Sequence, residues 1–284
     1  MLVIDDKIRH LIELSLSEDI GKKDLTSEAI IDENLLAKGI IVAKDEGVIA
    51  GLEIARMVFC QLDPNLVFDS SFKDGNKVMR GEEVVTLKGK VKSILSGERT
   101  ALNFLQRLSG IATLTSKYQE RIRDTDVKIL DTRKTTPGLR ALEKYAVKMG
   151  GGENHRMGLF DMVLVKENHI KAGGSISRAI QKVKAKYPNE KVEVETKNLD
   201  EVKEAVNSEV DWIMLDNMSI DEMKKAVKVI RSSKREIKIE ASGRIDLNNV
   251  REVALTGINF ISVGALTHSA PALDFSLLLV ELNL

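Results

Sequence analysis

The chain has 284 residues, and its 43 basic and 43 acidic side chains leave no net charge. Apolar residues make up 43% and charged residues 30%, the balance of a globular protein and not of a disordered one. The single cysteine, Cys60, excludes an intramolecular disulfide and any multi-cysteine zinc or iron–sulfur centre, and neutrality gives no electrostatic case for nucleic-acid binding.

The first six residues are acidic and offer no basic n-region for a signal peptide. Apolar runs fall short of the roughly 18–20 residues that span a bilayer. The expected compartment is therefore cytoplasmic. Ile8, Leu11, Ile12, Leu14 and Leu16 form one stripe and predict a helix, with Asp5 or Asp6 as its cap. Residues 37–43 read as a strand, 51–59 as a short helix, and Cys60 as core. Residues 66–96, cut by Asp74-Gly75, Arg80-Gly81 and Ser96-Gly97, read as an antiparallel sheet with tight turns. No lysine sits on a carrier-type hairpin tip, which argues against a swinging-arm carrier. From Glu98 a long helix is expected to about Arg123, with Ala101, Leu102, Leu105, Leu108, Ile111 and Ala112 on its apolar face.

Six short apolar stretches follow: 127–130, 162–165, 192–194, 212–215, 237–239 and 259–263. Helical patterns separate them at 138–149, 175–187, 199–207, 219–232 and 246–256, with Ser175, Ser219 and Asp246 as N-cap candidates. Strands alternating with helices, without hairpins, mean parallel βα units. Polar residues follow all six strands, and the dinucleotide fingerprint is missing, because Gly150-Gly-Gly152 follows a helix. Both facts favour an incomplete barrel over a doubly wound sheet. The apolar tail 271–284 needs cover.

The strand ends carry Thr132, Arg133 and Lys134; Lys166 and His169; Glu195; Asp216; Ser242, Gly243 and Arg244; and Val263, Gly264 and Ala265. The glycine-rich loop adds His155 and Arg156. In a parallel barrel these points share one rim. Arginine forks grip carboxylate or phosphate through two parallel hydrogen bonds, and hard carboxylates hold Mg²⁺. The mixture suits a ligand with several anionic groups and a divalent metal. Blander readings stand beside these. His169 is equally a cap, Glu240 equally a salt bridge inside the barrel, His268 a structural residue near the first domain, and Trp212 packing. Ser242 lacks a nucleophile elbow.

The blocks Asp131-Thr-Arg-Lys-Thr-Thr-Pro-Gly, Gly152-Glu-Asn-His-Arg-Met-Gly, Leu164-Val-Lys-Glu-Asn-His, Leu215-Asp-Asn-Met and Glu240-Ala-Ser-Gly, in this order, resemble the quinolinate phosphoribosyltransferase family. The resemblance covers essentially the whole chain. It implies an N-terminal α+β sandwich domain over 1–105, to which 271–284 return, and an α/β barrel catalytic domain over 106–270. It implies phosphoribosyl transfer from 5-phosphoribosyl 1-diphosphate to quinolinate, with Mg²⁺ as cofactor and decarboxylation to nicotinate mononucleotide, in de novo NAD synthesis. It also implies a homodimer, or a higher assembly, in which Arg99 is lent across the interface. Carried over by residue, Arg133, Arg156 and Lys134 match the pocket for the two carboxylates, with Thr132 and His155 beside them. Lys166 matches a lysine near the diphosphate and the reacting ring. Glu195 and Asp216 match the acids facing ribose and metal. Lys134, Lys166, Glu195 and Asp216 form the expected catalytic group. Ser242, Gly243 and the Val263–Ala265 turn match the phosphate-binding backbone.

Arg244 departs from the family, which usually has a second glycine there. Its role depends on its backbone: φ > 0 means strain, an allowed φ a further phosphate contact. The alternatives are a sister enzyme acting on nicotinate or the paralogue associated with molybdenum transport, a Schiff-base aldolase built on Lys166, and a metabolite-binding protein without catalysis.

Overall fold

A computed structural model describes residues 2–282. The chain divides into two compact units: residues 1–116, 136–151 and 269–284 form one, and residues 117–135 and 152–268 the other.

In the first unit the expected N-terminal helix is α1 (Asp6–Ile20), capped by Asp5, whose carboxylate accepts from Ile8 N at 3.0 Å; Ile8, Ile12 and Leu16 are its buried stripe. A second short helix, α2 (Leu25–Ile30), starts where Asp24 caps it. Then come β1 (Leu36–Ala43), β2 (Gly47–Val48), α3 (Leu52–Leu62), β3 (Val67–Asp69), β4 (Lys77–Val78) and β5 (Glu83–Lys90). The apolar tail supplies the last strand of the chain, Phe275–Leu282, which pairs antiparallel with β1; the sheet order is tail strand, β1, β5, β3. Phe275 and Leu277 of the tail are buried, while Leu278, Val280 and Leu282 stay exposed on an edge strand. Cys60 is half-buried near Arg56 and is not a core residue.

The sequence reading placed residues 91–96 in the sheet and began the long helix at Glu98. The structure corrects this: α4 runs from Val91 to Arg121 without interruption. Ser96-Gly97 looks like a turn, but Gly97 is there for closeness, since a Cβ would lie 2.9 Å from the Phe59 ring. Gly110 has the same purpose, because a Cβ there would lie 2.0 Å from the Pro271 carbonyl oxygen. Two hydroxyls on the buried face of α4 satisfy backbone donors beside β2: Thr113 Oγ1 accepts from Val48 N at 2.8 Å, and Ser109 Oγ from Ala50 N at 3.0 Å.

The division also falls differently from the expected 105/106 boundary. Residues 136–151, with α5 (Arg140–Met149), belong to the first unit. The cause is polar as much as apolar. Buried Glu143 accepts from Arg107 at 2.8 and 3.1 Å, and the Tyr145 hydroxyl donates to Asp74 at 2.7 Å.

The second unit carries six parallel strands: β6 (Lys128–Leu130), β7 (Val163–Val165), β8 (Val192–Thr196), β9 (Trp212–Asp216), β10 (Lys238–Ser242) and β11 (Phe260–Ser262). Their order is β6-β11-β10-β9-β8-β7. That order is cyclic in sequence, as in a singly wound barrel. No reversal occurs, so no switch point exists. Between β6 and β7 a single parallel bridge joins Leu130 to Glu153, in the segment before β7. The barrel is therefore incomplete.

Between the strands lie α6 (Glu167–Gly173), α7 (Ile176–Lys186), α8 (Leu199–Val206), α9 (Ile220–Arg231) and α10 (Val250–Ala254), followed by α11 (Ala265–His268) and the tail strand, β12. Ser175 and Ser219 cap α7 and α9 as expected. Asp246 instead holds a turn ahead of the short α10, accepting from Asn248 N and Asn249 N. Among the described residues no helix is long and apolar enough to cross a membrane.

Strand alternation sorts the barrel. Val192, Val194, Ile213, Leu215, Ile239, Ala241 and Ile261 point one way and are fully buried. Each large aliphatic among them stabilises the unit by about 1.5–3 kcal/mol through burial. The opposite, interior face carries Glu193 and Glu195, Met214 and Asp216, Glu240 and Ser242, and Ser262.

Gly110→Ala should destabilise the first unit by about 1–3 kcal/mol through overpacking against Pro271. Chemical denaturation checks this; an unchanged midpoint would show that the close approach is not required.

Candidate active site

At the carboxyl ends of the six strands lies a cavity of about 660 Å³. Its wall includes Thr132, Arg133, Lys134, His155, Arg156, Lys166, Glu195, Asp216, Ser242, Gly243, Arg244, Val263, Gly264 and Ala265. The sequence-predicted site residues are thus brought together, with one exception. Arg99 sits on the exposed face of α4 in the other unit and is not part of this wall.

Each position has a local cause. After β6, Thr132 Oγ1 accepts from Lys134 N at 3.0 Å, and buried Thr267 donates to the Lys134 carbonyl at 2.8 Å. The Lys134 stem then runs along Gly264, where a Cβ would come within 2.9 Å of Lys134 Cδ. Fully buried Asp131 anchors the next loop, accepting from His155 N at 3.0 Å and from the Asn154 amide. Together with the Glu153 bridge to β6, this directs His155 and Arg156 into the mouth. After β7, Lys166 Nζ meets Glu195 Oε2 at 3.2 Å. His169 is resolved as the cap: its Nδ1 accepts from Lys166 N at 3.0 Å, and it does not line the cavity.

Past β9 and β10 the backbone turns left-handed. Asn217 has φ 56°, Gly243 φ 94° and Arg244 φ 53°. A Cβ on Gly243 would lie 2.5 Å from the Asn217 side chain, so these two turns need the glycine to pack. Asn217 Nδ2 donates to Asp216 Oδ2 at 3.0 Å and fixes that carboxylate.

Below the rim the barrel interior is ionic. His155 Nε2 lies 2.9 Å from Glu193 Oε2 and 3.3 Å from Glu240 Oε2, and both glutamates are fully buried. Glu240 is therefore the interior salt bridge of its blander reading, and it also reaches the cavity wall. Burial lowers the proton affinity of the His155 ring, but the two carboxylates outweigh it and raise the ring above its ordinary value of 6.5. Burial, then the charge of Glu240, raises Glu193. Arg156 N lies 2.8 Å from His155 Nδ1 and donates to it while the ring is neutral with its proton on Nε2, facing the acids; a ring protonated on both nitrogens gives that contact up. Trp212, below, packs as expected: it stacks on Phe260 with centroids 4.4 Å apart and meets the His155 ring edge-on.

The rim is electropositive where cations crowd. Burial lowers the proton affinity of Arg156, and the positive charge of Arg133 lowers it further. Two cations that repel one another across an open cavity are a site prepared for an anion.

Several wall residues escaped the sequence reading: Leu164, Met214, Ile245 and Ser262. Strand alternation from Lys166 and Asp216 points to Leu164 and Met214. His268, read as structural, lines the cavity next to Gly264. Glu193 was missed because an acid inside an apolar strand carries no signal until its partner is known.

Such a wall defines a class: an incomplete-barrel transferase for polyanionic ligands. The comparisons name it. The model of the quinolinate phosphoribosyl transferase N-terminal domain matches residues 24–109, and that of the C-terminal domain matches 111–278. A probable nicotinate-nucleotide pyrophosphorylase (carboxylating) of Synechocystis sp. is 47% identical over 269 residues, covering 94% of this chain and 90% of its own. Its Bacillus subtilis counterpart is 44% identical, with coverage of 95% and 93%. The solved nicotinate-nucleotide pyrophosphorylase of Francisella tularensis matches with a TM-score of 0.93 at 42% identity, covering 98% of each chain. The chain belongs to the quinolinate phosphoribosyltransferase family.

Glu240→Gln should lower the His155 titration midpoint. A raised histidine adds stability that is complete below its unfolded value and fades as pH rises through its folded value. The variant should therefore lose this contribution at lower pH than the wild type. Thermal melts across pH 6–10 check this (the window being about that of the shift); superimposable profiles would contradict the coupling.

Proposed function

We propose that this enzyme transfers the phosphoribosyl group of 5-phosphoribosyl 1-diphosphate to quinolinate, with decarboxylation to nicotinate mononucleotide, as a step of NAD synthesis in the cytoplasm. The observation that carries the reading is the Arg133–Arg156 pair, two mutually repelling cations on one cavity wall. Quinolinate presents two adjacent carboxylates, and one guanidinium for each cancels both repulsions at once. Nicotinate has a single carboxylate and would engage only one of the two guanidinium groups.

In this reading Arg133, Lys134 and Arg156 hold the acceptor, and Lys166 offsets charge on the departing pyrophosphate. The pyridine nitrogen attacks the anomeric carbon as the carbon–oxygen bond to pyrophosphate breaks, its electron pair leaving with pyrophosphate. The positive ring nitrogen then stabilises the electron pair left at the neighbouring carbon when CO₂ departs, and that carbon takes up a proton. Catalysis is positioning and charge stabilisation, without a strong base.

Glu195 and Asp216, on neighbouring strands β8 and β9, offer hard oxygen donors that suit Mg²⁺. A magnesium ion held there would neutralise diphosphate charge. The Schiff-base reading of Lys166 finds no support: its side chain is 48% exposed and ion-paired with Glu195, not set in an apolar pocket. Arg99, exposed and not among the residues of the wall, fits a residue lent to the cavity of a second subunit in a homodimer.

One assay tests the reading: formation of nicotinate mononucleotide and CO₂ from quinolinate and donor. Wild type should turn over with Mg²⁺ and stop in chelator. Mixed subunits of inactive Arg99→Ala and inactive Arg133→Ala should recover part of the activity. A folded wild type that never consumes quinolinate ends the proposal; mixed dimers that stay inactive end the shared-site part of it.

A further inference from the structure

Arg156 is one half of the cation pair on the cavity wall, and its charge is unfavourably placed there. Burial and then the charge of Arg133 lower its proton affinity, while the charges of Glu193 and Asp161 act the other way. A long side chain keeps one direction in such a setting only if its head is held. Arg156 Nη1 donates to the Met162 carbonyl at 3.0 Å. The guanidinium thus reaches across the foot of its own loop, 157–161, to the residue that follows it. The direction of the fork depends on where Met162 lies relative to Arg156, and the loop joins the two.

That segment lies between two anchored points. The Asp131 carboxylate holds His155 N on one side, and β7 begins at Val163 on the other. Apolar packing of the tip does not shape the loop, because Leu159 and Phe160 are 74% and 85% exposed. A carboxylate closes it instead. Asp161 Oδ2 accepts from Met157 N at 2.6 Å, and Asp161 Oδ1 accepts from Gly158 N at 2.9 Å. Both oxygens therefore hold the two backbone donors that come directly after Arg156, and Met162 is carried back with Asp161. Side chains that close turns in this way are common. What sets this one apart is its neighbours: the clasp joins the two residues flanking it, and those two are the ends of the Arg156–Met162 contact. Asp161 itself is exposed and does not line the cavity, so any effect on a bound acceptor passes through the arginine.

We propose that Asp161 is a positioning residue for the acceptor: by clasping the 157–161 loop it fixes Met162 against Arg156, and so the direction in which the Arg156 fork meets a carboxylate of the dicarboxylate substrate. This deepens the proposed function and rests on it. A guanidinium grips a carboxylate through two parallel bonds, and that geometry fails with a small change of angle.

The test titrates the full chain with quinolinate and, separately, with magnesium pyrophosphate. Asp161→Ala should weaken quinolinate binding about tenfold and leave pyrophosphate within about twofold. Asp161→Asn keeps one carbonyl oxygen for the two donors and should recover part of the affinity. The deciding measurement is the double variant. On an Arg156→Ala background, Asp161→Ala should weaken quinolinate by less than about twofold, because the group it acts through is gone. A residue that merely kept the barrel folded would weaken binding equally on both backgrounds. Equal losses would therefore overturn the proposal, as would unchanged quinolinate binding in Asp161→Ala. A folded wild type that does not bind quinolinate ends the reading of the acceptor; a wild type that binds it, with an indifferent Asp161→Ala, sinks only the role of Asp161.

Discussion

Charge repulsion is the constraint around which this barrel is built. A substrate bearing two carboxylates and a donor bearing three phosphoryl groups cannot be brought together unless positive charge surrounds them. That charge must in turn be held in place before either arrives. Arg156 is buried enough for its own charge to be costly, and Arg133 adds to the cost. The interior beneath answers with Glu193 and Glu240, two fully buried acids whose nearest cationic group is the His155 ring. A rim of cations above acids without solvent access is stable as a unit, and neither half would be stable alone. The His155 ring joins them: its Nε2 faces the acids and its Nδ1 lies 2.8 Å from the Arg156 backbone nitrogen, so the position of the arginine is tied to the ionic layer.

Much of this was legible in the sequence because parallel βα units convert linear spacing into convergence. Once six strands are recognised, the residues after each must share one rim, and those from Thr132 to Ala265 did so apart from His169, which caps a helix instead. The helix caps at Ser175 and Ser219 were legible for the same kind of reason: a serine before an apolar periodic run has few other uses.

The misreadings have a common physical origin. A glycine in sequence looks like a turn, yet Gly97 lies inside α4, where it permits contact with Phe59. Close approach is a property of a residue's partner, and the partner is remote in sequence. The same holds for Glu193, for Asp131 beneath His155, and for His268, whose place on the wall depends on how the chain turns after Gly264. Residues 136–151 were assigned by their position between two strands; Arg107 and Asp74 hold them in the other unit. Arg244 was the point where the sequence could state the alternatives and the backbone angle had to choose.

The central claim is that the paired arginines select an acceptor with two adjacent carboxylates. Calorimetric titration of wild type with quinolinate and with nicotinate tests it without relying on turnover. One further charge-assisted contact stabilises a complex by about 1.5–3 kcal/mol, so quinolinate should bind at least about tenfold more tightly. Equal affinity for the two acids, or a preference for nicotinate, would contradict the account.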